Sequence, residues 1–351
     1  MDHEQRIAGV LLGTAVGDAL GLPAEGMSPD RIRARWHGHW RMRFLGPWGM
    51  FSDDTEHTFL VAQSLAMSPS NPVEFQRCLA KRLRWWFAAL PAGVGFATAR
   101  ACLRLWLGFP PSRSGVYSAG NGPAMRSALI GAVFANAGER RRSFVEASTR
   151  LTHTDPRAQA AALAVAEVTA RICRGDAPRS NLVQVLAACD AGDEWQHVCE
   201  RVKTAGAEAQ TVSEFARSLG LKNGVTGYAL HSVPLAIYAW WRHPDDFEAA
   251  LASALDCGGD TDTVGAITGA LAGCETGESG IPRGWLDRLR DWPLTTTRLR
   301  TAATRLARTS SEGCPQPPIR YFWPGVAPRN ALFLVLVIGH GLWRLLPSRR
   351  G

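Results

Sequence analysis

Apolar positions recur at spacings of three and four along much of the chain, with alanine as the common filler between them. The pattern predicts helices over residues 5–20, 58–67, 73–90, 124–137, 156–174, 226–242, 247–255 and 263–274. Alternating apolar and polar runs bounded by turn residues, the mark of strands, are scarce. The expected class is therefore all-α, a compact multi-helix domain. Asn71-Pro72 and Asp155-Pro156 each offer a capping side chain followed by proline at the first helical position. Loops are expected over 22–54, 108–123, 221–225 and 256–262.

The first predicted helix carries Gly9, Gly13, Gly17 and Gly21. A spacing of four places them on roughly one face, where a second backbone can come close. Each glycine costs about 1 kcal/mol relative to alanine inside a helix, so close packing must offset the loss. Asp18 and Glu4 in the same segment favour a buried central helix over a membrane-embedded one.

Pro315, Pro317, Pro318, Pro324 and Pro328 make 309–330 an extended connector, separating a domain over 1–308 from a short appendage over 309–351. The appendage holds the apolar run from Ala331 to Trp343. As a helix it reaches about 20 Å, against roughly 30 Å of hydrocarbon, so it is expected to pack on the domain and not to span a bilayer. A surface contact with a membrane, helped by Arg344, Arg349 and Arg350, is the less favoured alternative.

Length and composition narrow the class. A chain of 351 residues with 46% hydrophobic and 20% charged residues can build its core without disulfides or a structural metal. The net charge of +8 is almost all arginine, the lysines being Lys81, Lys203 and Lys222, and it is scattered along the chain. No stable nucleic-acid or membrane partner is expected, and the chain is expected to be a monomer. The eight cysteines include no C-x-x-C pair, which argues against zinc, and residues 1–4 do not begin a secretory leader. The expected location is cytoplasmic, with free thiols. Trp85, Trp86, Trp240 and Trp241 follow helical periodicity and are expected in the core.

Two acidic clusters carry the candidate chemistry: Ser52-Asp53-Asp54-Thr55 ahead of the helix from Thr58, and Gly258-Gly259-Asp260-Thr261-Asp262-Thr263 ahead of the helix near Val264. One carboxylate suffices to cap a helix and meet its dipole. Four carboxylates with hydroxyls between them are what hard divalent cations need, and two Mg²⁺ or Mn²⁺ ions fit that charge better than one. An EF-hand beginning at Asp260 fails, because Val264 and Leu271 fall at its fifth and twelfth positions. A D-x-D nucleotide-sugar fold needs alternating strands and helices, and no P-loop or dinucleotide fingerprint occurs.

Five motifs in order resemble the ADP-ribosylglycohydrolase family: Gly17-Asp18-Ala19-Leu20-Gly21 with Glu25, Ser52-Asp53-Asp54-Thr55, Gly120-Asn121-Gly122-Pro123-Ala124-Met125-Arg126, Thr152-His153 with Pro156, and Gly258 to Thr263. The resemblance runs from about residue 5 to 275 and implies a compact all-α fold with a binuclear Mg²⁺ or Mn²⁺ centre. The implied activity is hydrolysis of the N- or O-glycosidic bond between ADP-ribose and a modified protein, nucleic acid or small molecule. The implied metal ligands are Ser52, Asp53, Asp54, Asp260, Asp262 and Thr263. Glu25 matches a loop glutamate that touches metal or substrate in relatives. Ser118, Gly120, Asn121 and Gly122 match the loop that holds ADP-ribose, and His153 a histidine near its phosphates or distal ribose. Ala119 stands where some relatives carry an aromatic ring against the adenine, leaving Tyr117 or Phe109 to supply one.

Such a bond breaks through an oxocarbenium-like transition state, and a carboxylate is needed to take a proton from the attacking water. Glu25 and Asp54 are the candidate catalytic residues. Backbone N–H groups of the glycine loop, ahead of a helix from Ala124, suit an anion. Arg126 is either a phosphate partner or a structural ion-pair residue. The alternative reading is a relative that binds ADP-ribose, or serves structurally, without turnover.

Overall fold

The computed structural model describes residues 1–176, 179–189 and 192–345. It is all-α: among the described residues there are seventeen α-helices and short 3-10 turns, with only isolated β-bridges between loops. Arg349 and Arg350 lie outside the described residues.

The centre of the molecule is a pair of antiparallel helices, His3–Gly21 and Thr261–Thr276. Gly9 faces Gly273, Gly13 faces Gly269 and Gly17 faces Gly265, each so close that an added methyl would overlap the opposing carbonyl. The glycine row thus meets a second glycine row, and main chain packs on main chain. Every residue from Ile7 to Gly21 is buried. Helices Pro156–Arg174, Ala229–Arg242, Phe247–Leu255 and Thr296–Glu312 surround the pair with one continuous apolar core.

This antiparallel pairing fixes where the chemistry lies. It brings the end of the first helix, with the loop carrying Glu25, beside the start of Thr261–Thr276. Gly26 N–H donates to the Gly259 carbonyl at 2.8 Å, and Gly259 N–H donates to Met27 at 2.8 Å. Gly259 has a φ of +81°, and a side chain there would strike the main chain of Val225.

Several boundaries differ from the periodicity. The helices predicted to begin at 58 and 263 begin at Asp53 and Thr261, because their first turns are polar and carry no apolar repeat. Asp53, Asp54, Asp262 and Thr263 are therefore in first turns and not ahead of them. The predicted helix 124–137 is a 3-10 turn, Ala124–Arg126, followed by Ala128–Val133. Helix Pro29–Trp36 lies inside the expected loop 22–54, its periodicity masked by three arginines. Charged amphipathic helices Gly138–Arg150, Asp193–Ala207 and Thr296–Glu312 escaped notice for the same reason.

The connector is extended after Gly313, but helix Thr296–Glu312 runs past 308 and a further helix, Val326–Leu345, begins inside 309–330. The appendage is bound closely to the rest. Ile319 exchanges hydrogen bonds with the Gln63 side chain at 2.7 and 3.2 Å, and Asn330 donates to the Ala89 carbonyl at 2.8 Å. Val326–Leu345 packs its polar side chains inward.

Candidate active site

Asp18 organises the first acidic turn. It is wholly buried, and its carboxylate accepts from Ser52 N–H at 2.9 Å, Thr55 N–H at 3.1 Å and Thr55 Oγ1 at 2.5 Å. A side chain from the central helix thereby caps helix Asp53–Met67, which relieves Asp53 and Asp54 of that task. Burial raises the pKa of Asp18 to about 7, against the lowering effect of those hydrogen bonds. A lone carboxylate in a row of glycine and alanine was the available signal for this positioning role.

The second turn packs onto the first. Thr263 Oγ1 and Ser52 Oγ each lie 3.3 Å from Asp54 Oδ2, although the chain separates residues 54 and 263 by more than half its length. Asp260 precedes helix Thr261–Thr276 without making a side-chain cap; its Oδ2 instead accepts from Asn121 Nδ2 at 2.7 Å. Asp262 Oδ1 accepts from Thr263 N–H at 3.0 Å in the first turn, so capping, the cheaper explanation for carboxylates at helix starts, accounts for Asp262 in part and leaves Asp260 unexplained.

Their electrostatics are unfavourable as they stand. Burial first, and then the charges of Asp18, Asp53 and Asp260, push the Asp54 pKa well up. Burial and the charges of Glu25, Asp260 and Asp54 do the same to Asp262, and burial with Asp18 and Glu56 to Asp53. Glu25 is raised by burial and by Asp260, against the opposing charge of Arg344. Asp54 Oδ1 is buried with no hydrogen-bond partner. Unpaired buried oxygen and mutually repelling carboxylates fit a divalent cation, which would relieve both. Among the described residues, no three His, Cys, Asp or Glu side chains already close into a cage; the oxygens are divided between two helix starts, with hydroxyls of Ser52 and Thr263 between them.

A cleft of about 380 Å³ opens above these groups. Glu25, Asp53, Asp260, Asp262 and Thr263 line one side, and Ser118, Gly120, Asn121, Gly122 and His153 the other. Ser52 and Asp54 are buried behind that lining. The residues expected as metal ligands, as bases and as the ADP-ribose loop with its histidine are thus at the cleft or immediately behind it.

The glycine loop is set by two anchors: Asn121 N–H donates to the Gly227 carbonyl at 3.0 Å, and Ala229 N–H to the Ala119 carbonyl at 2.9 Å. His153 lies beneath it, so that a methyl on Gly120 or Gly122 would press on the imidazole. Burial lowers the His153 pKa to about 3, so the ring is neutral. Arg126 is buried among Ser148, Thr152 and His57, with hydrogen bonds of 2.9–3.1 Å. It is structural and does not reach the cleft.

Gly93, Gly95, Phe96, Ala97, Thr98, Met125 and Gly227, to which the sequence pattern gave no site role, complete the lining. Phe96 is 91% exposed. An exposed ring at the first position of helix Phe96–Trp106 was the available signal. Neither Tyr117 nor Phe109 lines the cleft.

The profile of the ADP-ribosylglycohydrolase family matches residues 1–316. The chain belongs to the ADP-ribosylglycohydrolase family. It is 33% identical over 295 residues to an uncharacterized protein of Archaeoglobus fulgidus, covering 82% of this chain and 92% of that one. It is 29% identical to the ADP-ribosyl-[dinitrogen reductase] glycohydrolase of Rhodospirillum rubrum, covering 81% and 90%. A solved ADP-ribosylglycohydrolase-related protein complex superposes with a TM-score of 0.69 at 29% identity, covering 88% of this chain and 99% of its counterpart. The family match ends before helix Val326–Leu345.

Proposed function

We infer that this ADP-ribosylglycohydrolase family member hydrolyses the glycosidic bond joining ADP-ribose to a modified acceptor, and that it depends on Mg²⁺ or Mn²⁺. The observation that carries the reading is the convergence of Asp53, Asp54, Asp260 and Asp262, with the unpartnered Asp54 Oδ1, beneath a cleft faced by a glycine loop. Relatives named as ADP-ribosyl hydrolases, including the ADP-ribosylarginine hydrolase of Serratia proteamaculans at 25% identity, support the substrate class.

Ser52, Asp53, Asp54, Asp260, Asp262 and Thr263 would hold the ions, two by the charge count. Bound there, such ions supply Lewis acidity toward the ribose hydroxyls and the attacking water. Glu25 is the better of the two candidate bases, because it lines the cleft whereas Asp54 lies behind it. Its raised pKa suits a group that takes a proton from water near neutral pH. Water adds to the ribose anomeric carbon, the bond to the acceptor breaks, and its electron pair leaves with the acceptor nitrogen or oxygen, which gains a proton. Ser118 and the main chain of Gly120 and Gly122 face the position suited to the phosphates. The Phe96 ring at the cleft offers an apolar face for the base, in place of the ring absent at Ala119.

The test is release of free ADP-ribose, measured by mass spectrometry, from ADP-ribosylated arginine, serine and nucleic-acid substrates with Mg²⁺, Mn²⁺ or EDTA. Release from at least one acceptor, abolished by EDTA and by Asp260→Ala, is expected. Tight ADP-ribose binding without release from any acceptor would instead establish the non-catalytic reading.

A further inference from the structure

Among the described residues two helices are long and apolar enough, by length and composition alone, to reach across a bilayer: His3–Ala24, with mean hydropathy 1.5, and Trp323–Arg344, with 1.4. The apolar stretch of the first is entirely buried in the core; only 28% of the corresponding stretch of the second is. Their sequences are nearly equal in hydropathy, and their surroundings are opposite.

The C-terminal helix is turned with its polar side inward. Arg329 pairs with Glu56 at 3.0 Å and Asp291 at 2.6 Å. His340 Nε2 donates to the Phe44 carbonyl at 2.7 Å, and Arg344 donates to the carbonyls of Leu22 and Pro23 at 2.8 and 3.2 Å. The outward side is apolar: Leu334, Val335, Ile338 and Leu342 are exposed and fall within an arc of about 100°. Val335 is 66% exposed. A helix facing water carries the reverse pattern.

The surface continues beyond the helix. Leu332 shares a cleft of about 590 Å³ with Leu45 and Trp292. Trp292 lies 5.9 Å from Phe322, and Trp85 lies 5.6 Å from both Trp323 and Trp106, all five of these rings being exposed, as is Leu332. Trp85 was expected in the core; it is instead 48% exposed in this row. Exposed tryptophan beside an aliphatic helix is the composition of a protein seated at the headgroup level of a bilayer.

Charge selects among apolar partners. No Asp or Glu follows Glu312 in the chain. Segment 29–43, against which the helix ends, contains five arginines and Asp30 alone among acids. Arg35 lies 4.0 Å over the Trp343 ring, Arg31 donates to the Arg344 carbonyl, and Arg290 lies 5.1 Å over Trp48. Arg349 and Arg350 follow in sequence.

We propose that the outward face of helix Val326–Leu345, with the tryptophan row and arginine rim beside it, is a docking surface for anionic phospholipid membranes. The helix lies along the surface and does not cross it. Spanning would pull Arg329 from its two carboxylate partners into hydrocarbon. Apolar side chains enter the headgroup boundary while the arginines meet lipid phosphates. The expectation of no membrane partner rested on a pattern that does not reveal which side of a helix the fold turns outward.

The experiment is flotation of the full chain with vesicles of phosphatidylcholine alone or mixed with phosphatidylglycerol. Flotation with the mixed vesicles only, weakened by salt, is expected, with binding falling about fivefold for each arginine disengaged. The double variant Val335→Asp and Ile338→Asp should lose flotation while retaining its circular dichroism and thermal transition. No flotation of the wild type, equal flotation with neutral vesicles, or flotation of the variant unchanged would overturn the proposal. So would a wild-type dimer in light scattering that the variant makes monomeric, since a second copy would then cover the face.

Discussion

Arg329 and Asp291 form a two-pronged pair, with Nε and Nη2 at 3.0 and 2.6 Å from the two carboxylate oxygens, and the same Nη2 donates to the Phe51 carbonyl at 2.6 Å. Phe51 precedes the Ser52 turn, so a residue beyond the family match supports the first acidic cluster. Removing the guanidinium would strand the Asp291 carboxylate, whose side chain is 1% exposed, and the Glu56 carboxylate, at 12%. Arg329→Ala is expected to lose about 3–5 kcal/mol of stability in urea unfolding. Arg329→Lys should recover only part, lacking the planar fork. Unchanged stability in Arg329→Ala would contradict the pair's structural role.

The glycine rows should be intolerant of a single methyl. Gly17→Ala would force apart the two central helices at Gly265 and is expected to cost about 1–3 kcal/mol or more. Gly284→Ala, in helix Arg283–Leu286 with open space around it, is the control and should be neutral or slightly stabilising. Equal thermal shifts in the two variants would mean that contact between the backbones is not what limits position 17.

Asp262 should oppose folding in chelated protein. Its raised pKa means that the folded state holds the proton more tightly than the unfolded chain, so this stabilising contribution is full below about pH 4 and is lost as pH rises through the elevated value. Asp262→Asn is therefore expected to melt higher than wild type in EDTA at pH 7.5. The advantage should shrink toward pH 4. The same variant should lose the Mg²⁺-induced rise in melting temperature. A variant less stable than wild type at pH 7.5 would remove the argument for an electrostatic cost at this site.

Glu25→Gln keeps the shape of the loop and removes the base. A loss of about 10²–10⁴-fold in kcat with little change in KM is expected. In the wild type, kcat/KM should fall as pH drops through the raised Glu25 pKa, where the carboxylate protonates. Persistence of that acidic limb in the variant would assign it to another group.

Phe96→Ala tests the exposed ring at the cleft. Stacking a base on an aromatic face contributes about 1–3 kcal/mol, so KM should rise roughly 5- to 160-fold while kcat changes little. An unchanged KM would leave the base without this contact.

The chain's own pattern determined the all-α class, the glycine face of the first helix, both acidic clusters and the glycine loop, because each is a local arrangement of residue types. Asp53 and Asp262 could be named as candidates without knowing where they lie. Their meeting depends on two helices 240 residues apart running antiparallel along glycine rows, a long-range relation that no local periodicity contains. Asp18 needed the same packing before its carboxylate could be seen to hold Ser52 and Thr55. The appendage shows the division most plainly: its apolar run was legible, but only the inward anchoring of Arg329, His340 and Arg344 decided that leucine, valine and isoleucine face outward.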